Sequence, residues 1–244
     1  MRFIFINSSC EAIVPAKYTK TIICLANSRK MAGRCVARKE FAGNRIGGWI
    51  RPISARPAGE LSEEDRRFEN GRDPKLLDVI RIPMVESRPH GFHLENHLID
   101  EAYYWAKEGQ ATWDQLCQAL DSASGALWDN SSSSYNGLRD RVDEAAAAKL
   151  SDSLRLIEVK DLAIEVAVEG AEFGNAKRKV RGMFSLKGTR YKLSVTDPVV
   201  ERKYFRGENG VFKIGHAVLC ISLGEPYSGY TYKLIAGLFR PPDR

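Results

Sequence analysis

A chain of 244 residues with 37 Lys and Arg against 31 Asp and Glu carries a formal net charge of +6 and a pI near 9.0, a mild basic excess that favours polyanionic partners. Its apolar runs fall well short of the ~20 residues that a membrane-spanning helix needs. Its five cysteines (Cys10, Cys24, Cys35, Cys117, Cys220) are odd in number, widely spaced and lack a C-x-x-C pair, which excludes a disulfide framework and a zinc knuckle.

Reduced thiols, no membrane partner and a cytoplasmic location are the expectation, and the length suits two small cores better than one large one. Met1-Arg2-Phe3-Ile4-Phe5-Ile6 begins like a signal peptide, but its apolar stretch is too short and Glu11 follows soon after.

After a poorly patterned leader to Lys20, Thr21 to Ala26 reads as a short apolar strand. It is followed by a basic turn and a second strand over Gly47 to Ile53. The charged segment Glu60 to Lys75 predicts a short helix or exposed loop. Asp78 to Pro83 predicts a strand that ends at Pro83 or lies at a sheet edge there, because proline cannot donate to a ladder. Phe92 to Ile99 alternates imperfectly and reads as a further strand.

From Asp100 to Leu150 the spacing of Trp113, Leu116 and Leu120 and the Ala145 to Ala148 run predict a mostly helical block. Asp129 to Gly137 interrupts it with a polar, Ser-rich loop whose composition predicts mobility.

Strand signals return over Leu156 to Val168, Val180 to Leu186 and Tyr191 to Val195. They end in a hairpin of Val218 to Tyr227 against Tyr230 to Phe239, with Gly224 to Gly229 supplying the turn. Several short strands at intervals of about ten residues predict a small barrel or sandwich.

Several local patterns resemble a bacterial family of dual OB-domain proteins. They are Ser28-Arg29-Lys30 with Gly33-Arg34-Cys35-Val36-Ala37, Trp49-Ile50-Arg51-Pro52-Ile53, Glu95-Asn96-His97, Thr196-Asp197-Pro198, Ser222-Leu223-Gly224-Glu225-Pro226 and Tyr232-Lys233-Leu234-Ile235-Ala236. The resemblance implies a mainly β (α+β) chain with two small OB-like β-barrels and a helical insertion between them. The corresponding division is a leader at 1–20, a first barrel at 21–100, an insertion at 101–153 and a second barrel at 154–244. It also implies binding of single-stranded DNA or RNA, a setting in bacterial defence or nucleic-acid processing, and a protein partner if the module is an adaptor. No cofactor follows from it, and no catalytic residues carry over.

Arg29, Lys30, Arg34, Arg38 and Lys39 crowd one turn region, with Trp49 and Arg51 on the next strand. A basic track beside a ring is what a sequence-tolerant single-strand binder needs, although Trp49 suits a core equally well. A second track combines Lys177, Arg178, Lys179, Arg181, Lys187, Arg190 and Lys192 with Phe184 and Tyr191. If those rings face solvent they form a stacking groove; the plainer reading is a solvated hairpin.

His90, His93 and His97 with Glu95 fall within eight residues. On a strand, His93, Glu95 and His97 would share a face, as an acid/base or metal centre requires, yet a fourth ligand is lacking and no metal is assigned. Glu95 and His97 stand as ligand-contact candidates, with Glu225 and Lys233. Asp197 before a proline suits a cap, Asp161 and Glu165 suit solvent, and Cys35 has no partner histidine.

Two other classes of function compete with nucleic-acid binding. A metal-dependent nuclease or nucleotide-processing enzyme would gather His93, Glu95 and His97 with Asp197 or Glu225. A nucleotide-sensing module would use Arg29, Arg34, Arg51 and Lys233 as phosphate contacts.

Overall fold

The computed structural model describes residues 18–43, 45–122 and 125–242, so residues 1–17 of the expected leader, Cys10 among them, lie outside the described residues. The chain divides into two compact units between Gln118 and Ala119.

The first unit holds β1 (Tyr18–Lys30), β2 (Gly33–Ala42), β3 (Arg45–Ile53), α1 (Glu63–Arg66), β4 (Asp78–Ser87), β5 (Asn96–Ile99), β6 (Ala106–Gln110) and α2 (Trp113–Gln118). β1, β2 and β3 form an antiparallel meander. β5 runs parallel to β3 and antiparallel to β4, and β4 returns to pair with β1. The ring β1-β2-β3-β5-β4 is thereby closed, as a five-stranded Greek-key OB barrel.

β1 serves two neighbours. It pairs with β4 over Tyr18 to Ile23 and with β2 over Ile22 to Lys30, and a bulge between Cys24 and Ala26 bends it from one to the other. Inward-facing Ile22, Cys24, Val36, Ile50, Ile80, Ile82 and Met84 form the core with Leu61, Phe68 and Trp105 from the connections.

The second unit repeats this plan. It holds β7 (Arg141–Asp143), α3 (Glu144–Ala147), β8 (Leu154–Glu169), β9 (Lys177–Leu186), β10 (Thr189–Val195), α4 (Pro198–Phe205), β11 (Gly210–Leu223) and β12 (Tyr230–Phe239). β8-β9-β10 is the meander, β12 lies parallel to β10 and antiparallel to β11, and β11 closes on β8.

β10 and β12 touch only at Ser194 and Val195 against Leu234 and Ile235. The wedge between them is filled by the chain upstream. Leu138 bridges Lys192 of β10, and β7 pairs with Tyr230 to Tyr232 of β12.

The two-barrel expectation is met, with three local differences. Strand β4 continues to Ser87 through Pro83, because Pro83 sits where its partner on one edge changes from β6 to β5 and a missing N–H breaks no ladder. Among its described residues the middle block has two short helices, α2 and α3, and the remainder joins the sheets as β6 and β7 or runs irregularly.

The Ser-rich loop is anchored. Ser134 donates from its amide and hydroxyl to Asp140, Arg141 Nε donates to Ser132 Oγ at 2.8 Å, and Asn130 Nδ2 donates to Tyr191 Oη at 2.8 Å. Its polar composition serves fixed hydrogen bonds.

Candidate nucleic-acid interface

Strand register decides the fate of the predicted residues. Around the first barrel, Arg29 and Lys30 end β1, while Arg34, Arg38 and Lys39 lie on β2, leaving Met31-Ala32 as the turn. Arg29 is exposed, Lys30 and Arg34 are half-buried, and none of the three is without an interaction.

Trp49 is half-buried with the Lys39 ammonium 5.1 Å from its ring centroid. Arg51 is not a phosphate contact. It is buried, its Nε and Nη2 each lie 2.9 Å from Glu95 Oε1, and its Nη1 lies 3.2 Å from Cys35 Sγ. This pair ties β3 to the turn entering β5 beside the Arg51–Glu95 backbone hydrogen bond.

Glu95 is accordingly a structural carboxylate, and His97 Nδ1 is 2.6 Å from Tyr18 Oη. Burial, reinforced by Lys20, lowers the His97 pKa. His93 is buried against Phe92 and bridges His90 in a turn, so His93, Glu95 and His97 do not share the strand face expected of them: only His97 lies in β5. Among the described residues no group of three or more His, Cys, Asp or Glu side chains is placed to hold a metal ion.

Around the second barrel, Phe184 and Tyr191 face inward. They are cross-strand neighbours, 3% and 1% exposed, with ring centroids 5.4 Å apart. They are core and cap, not a solvent-facing stacking pair, because Val180, Gly182 and Leu186 set the same inward parity on β9. Tyr191 Oη accepts from the Leu127 amide at 3.0 Å.

Lys233 is also interior, 1% exposed. Its Nζ donates to the Asp129 carbonyl and to Asn130 Oδ1 at 2.8 Å, and burial lowers its pKa to about 8. Arg181 is buried in an ion pair with Glu169 at 2.6 Å, with Asp140 nearby at 3.5 Å. Burial opposes its charge, but the Glu169 hydrogen bond and the surrounding carboxylates raise its pKa.

Lys192 pairs with Glu165. Asp161 is exposed and accepts from the Ser185 amide at 2.9 Å. Lys187, with Gly188, forms the two-residue turn between β9 and β10, both at positive φ. Arg190 and Glu225 are exposed, the latter already engaged in an interaction.

A group of exposed cations lies at one end of the second barrel. Val166 of β8 pairs with Val180 of β9 on one side and Gly210 of β11 on the other, so the beginnings of β9 and β11 flank the end of β8. α4 contacts both, through Arg178 of β9 and Phe212 of β11. Asp197 caps it, accepting from the Val199 amide at 2.9 Å and the Val200 amide at 3.3 Å, with Pro198 in the first turn. At the other end of α4 Arg178 donates to the carbonyls of Phe205, at 3.2 Å, and Gly207. Arg178 thus holds the helix terminus against β9 and is not itself a free phosphate contact.

Around this junction Lys177, Lys179, Arg202, Arg206 and Lys213 are exposed and form no ion pair among the described residues. Exposed Lys203 lies 5.7 Å from the Tyr204 ring centroid. Exposed rings accompany them. Phe173 in the β8–β9 loop is 71% exposed and meets Tyr135 edge-on at 5.5 Å, while Phe205 and Phe212 are each over a third exposed and Tyr204 packs on Phe212 at 5.3 Å.

Sequence reasoning kept Lys177 and Lys179 but missed α4, Lys213 and these rings. The signal was present in Asp197-Pro198, a helix start, followed by Arg202-Lys203-Tyr204-Phe205-Arg206.

Models of known families match over residues 20–238, where the chain fits the dual OB-containing domain. No curated protein and no solved structure matches the chain. The two rings of like strand order account for the family match, and the chain belongs to the dual OB-containing domain family.

Proposed function

We propose that this protein binds single-stranded nucleic acid, DNA or RNA, at the basic and aromatic end of its second barrel. The observation that carries the reading is the concentration there of exposed cations without ion pairs beside exposed rings, on the β8–β9 loop that OB barrels use for oligonucleotides. In the two stretches 171–179 and 198–213 seven Lys and Arg stand against three Glu. The cations track phosphates, and Phe173, Tyr135, Phe205 and Phe212 offer faces to unstacked bases. The location on a loop and helix terminus, away from the ion-paired strand face, favours a sequence-tolerant binder. A setting in nucleic-acid processing or defence fits such a module.

The test is fluorescence anisotropy of a labelled single-stranded oligonucleotide across a salt series. Changing Lys177, Lys179, Lys203 and Arg206 to Ala should weaken binding and reduce the slope of log K against log salt by up to ~3, about 0.7 per phosphate contact. Phe173→Ala and Phe212→Ala should weaken binding with little change in slope. Equal slopes for wild type and the quadruple variant would overturn the proposal.

A further inference from the structure

Among its described residues the first barrel buries a cation that has no hydrogen-bond partner and no carboxylate of its own. Arg38 points inward from β2, opposite Cys24 on β1 and Ile50 on β3, and is 0% exposed. Its Cζ lies 4.6 Å from the ring centroid of Trp105, which is 1% exposed. None of Arg38 Nε, Nη1 and Nη2 has a hydrogen-bond partner among the described residues, and neither has Trp105 Nε1.

The carboxylates whose charge reaches Arg38 are committed elsewhere. Asp73 is bonded by both Arg66 Nε and Nη2, and Asp78 by Lys107 and the Lys75 amide. Arg66 and Lys107 thus already engage the two carboxylates, and Cys24, which faces Arg38 on β1, donates its thiol to the Ala26 carbonyl, so the buried Arg38 guanidinium has no carboxylate of its own.

The second barrel shows that the fold does not require it. The position facing Ile164 of β8 and Leu193 of β10, as Arg38 faces Cys24 and Ile50, is Gly182, packed tightly under Ile235. A buried guanidinium without a partner is strongly destabilising, and apolar replacement of such groups is commonly neutral or better. Water could accept the hydrogen bonds but would leave the charge.

We propose that the interior of the first barrel binds one small monovalent anion, received by the Arg38 guanidinium and the Trp105 indole N–H. The guanidinium fork matches a planar oxyanion such as a carboxylate or nitrate better than a sphere. Since neither donor reaches solvent, uptake accompanies folding or a local opening of the barrel, and exchange is slow. The proposal is independent of the nucleic-acid reading.

The experiment is thermal unfolding of the full chain at fixed ionic strength, with sodium formate, nitrate or chloride replacing fluoride, whose strong hydration opposes capture. The expected result is a midpoint that rises with anion concentration as ligand linkage requires. Arg38→Met should abolish the response and be at least as stable as wild type in fluoride, and Trp105→Phe, keeping the stacked ring, should weaken it several-fold. A response absent in wild type, or unchanged in Arg38→Met, overturns the proposal. If Arg38→Met does not fold, Trp105→Phe and crystals grown in bromide decide: an anomalous peak against Arg38 supports the site, and ordered water alone there overturns it.

Discussion

Several side chains that a sequence reading assigns to a ligand are held inside by the barrels. Arg51 looks like a surface cation, yet its pair with Glu95 is almost wholly desolvated and links β3 to the approach of β5. Removing one partner of such a pair strands the other, so Arg51→Met should cost about 3–5 kcal/mol in urea unfolding, while native-state oligonucleotide binding keeps its salt slope. Lys233 offers a test through pH. The folded lysine deprotonates near 8 because it is buried, whereas the unfolded chain retains the proton up to 10.5. Between those values unfolding takes up a proton, so the folded state gains stability as pH rises, by up to about 3 kcal/mol at 1.4 kcal/mol per unit. Subtracting the unfolding free energy of Lys233→Met from that of wild type across pH 7.5 to 10.5 isolates this gain from other groups, and a flat difference would contradict it. Residue types were legible here and their orientation was not: Phe184 and Arg181 are three positions apart on one strand, and only the pairing register settles which faces the core.

At the scale of elements, hairpins and strand runs were readable because β-branched and aromatic residues cluster between turn residues, and β9, β10 and β12 fall close to where the pattern put them, while β11 begins at Gly210, well before the expected Val218. Strand length was less readable. β1 and β8 extend well beyond their apolar runs because each serves two neighbours, and a strand bent by bulges loses simple alternation. The middle block misled for a related reason: an Ala-rich run and three anchors at helical spacing are enough for a turn or two but not for a long helix that must bury a face. Gly182 is the sharpest contact constraint in the second core. A Cβ there would meet Ile235 Cδ1 at 2.3 Å and Leu162 Cδ1 at 3.5 Å. Gly182→Ala should therefore lose about 1–3 kcal/mol, and Ile235→Val, which removes the colliding carbon, should recover part of that loss in the double variant. Simple additivity of the two losses in denaturant unfolding would argue against the collision.

For the whole molecule, strand order is shared between the barrels while surface chemistry is not. The predicted cations of the first barrel, Arg29, Lys30 and Arg34, are each already engaged in an interaction, whereas those around α4 and the starts of β9 and β11 do not form ion pairs among the described residues. Neutralising Arg29, Lys30 and Arg34 together should consequently change the salt slope of oligonucleotide binding less than neutralising Lys177, Lys179, Lys203 and Arg206, measured on the same probe. The dual-barrel plan was legible from motifs scattered over nearly the whole chain; the candidate interface was only half legible, since it depends on Arg178 drawing to its strand a helix terminus 27 to 29 residues further along the chain.

The wedge between β10 and β12 changes what counts as the second module. Leu138 and β7 complete hydrogen bonding along strands that follow them in sequence, and Leu127 belongs to the same core. A fragment begun at Leu154 would contain all five strands of the ring and still present unsatisfied edges on β10 and β12, an invitation to pair with other chains. Such a fragment should self-associate in sedimentation, whereas one begun at Ala119 should remain monodisperse. The compact unit, which recombination could transfer intact to another protein, begins at Ala119, 35 residues before its first barrel strand at Leu154.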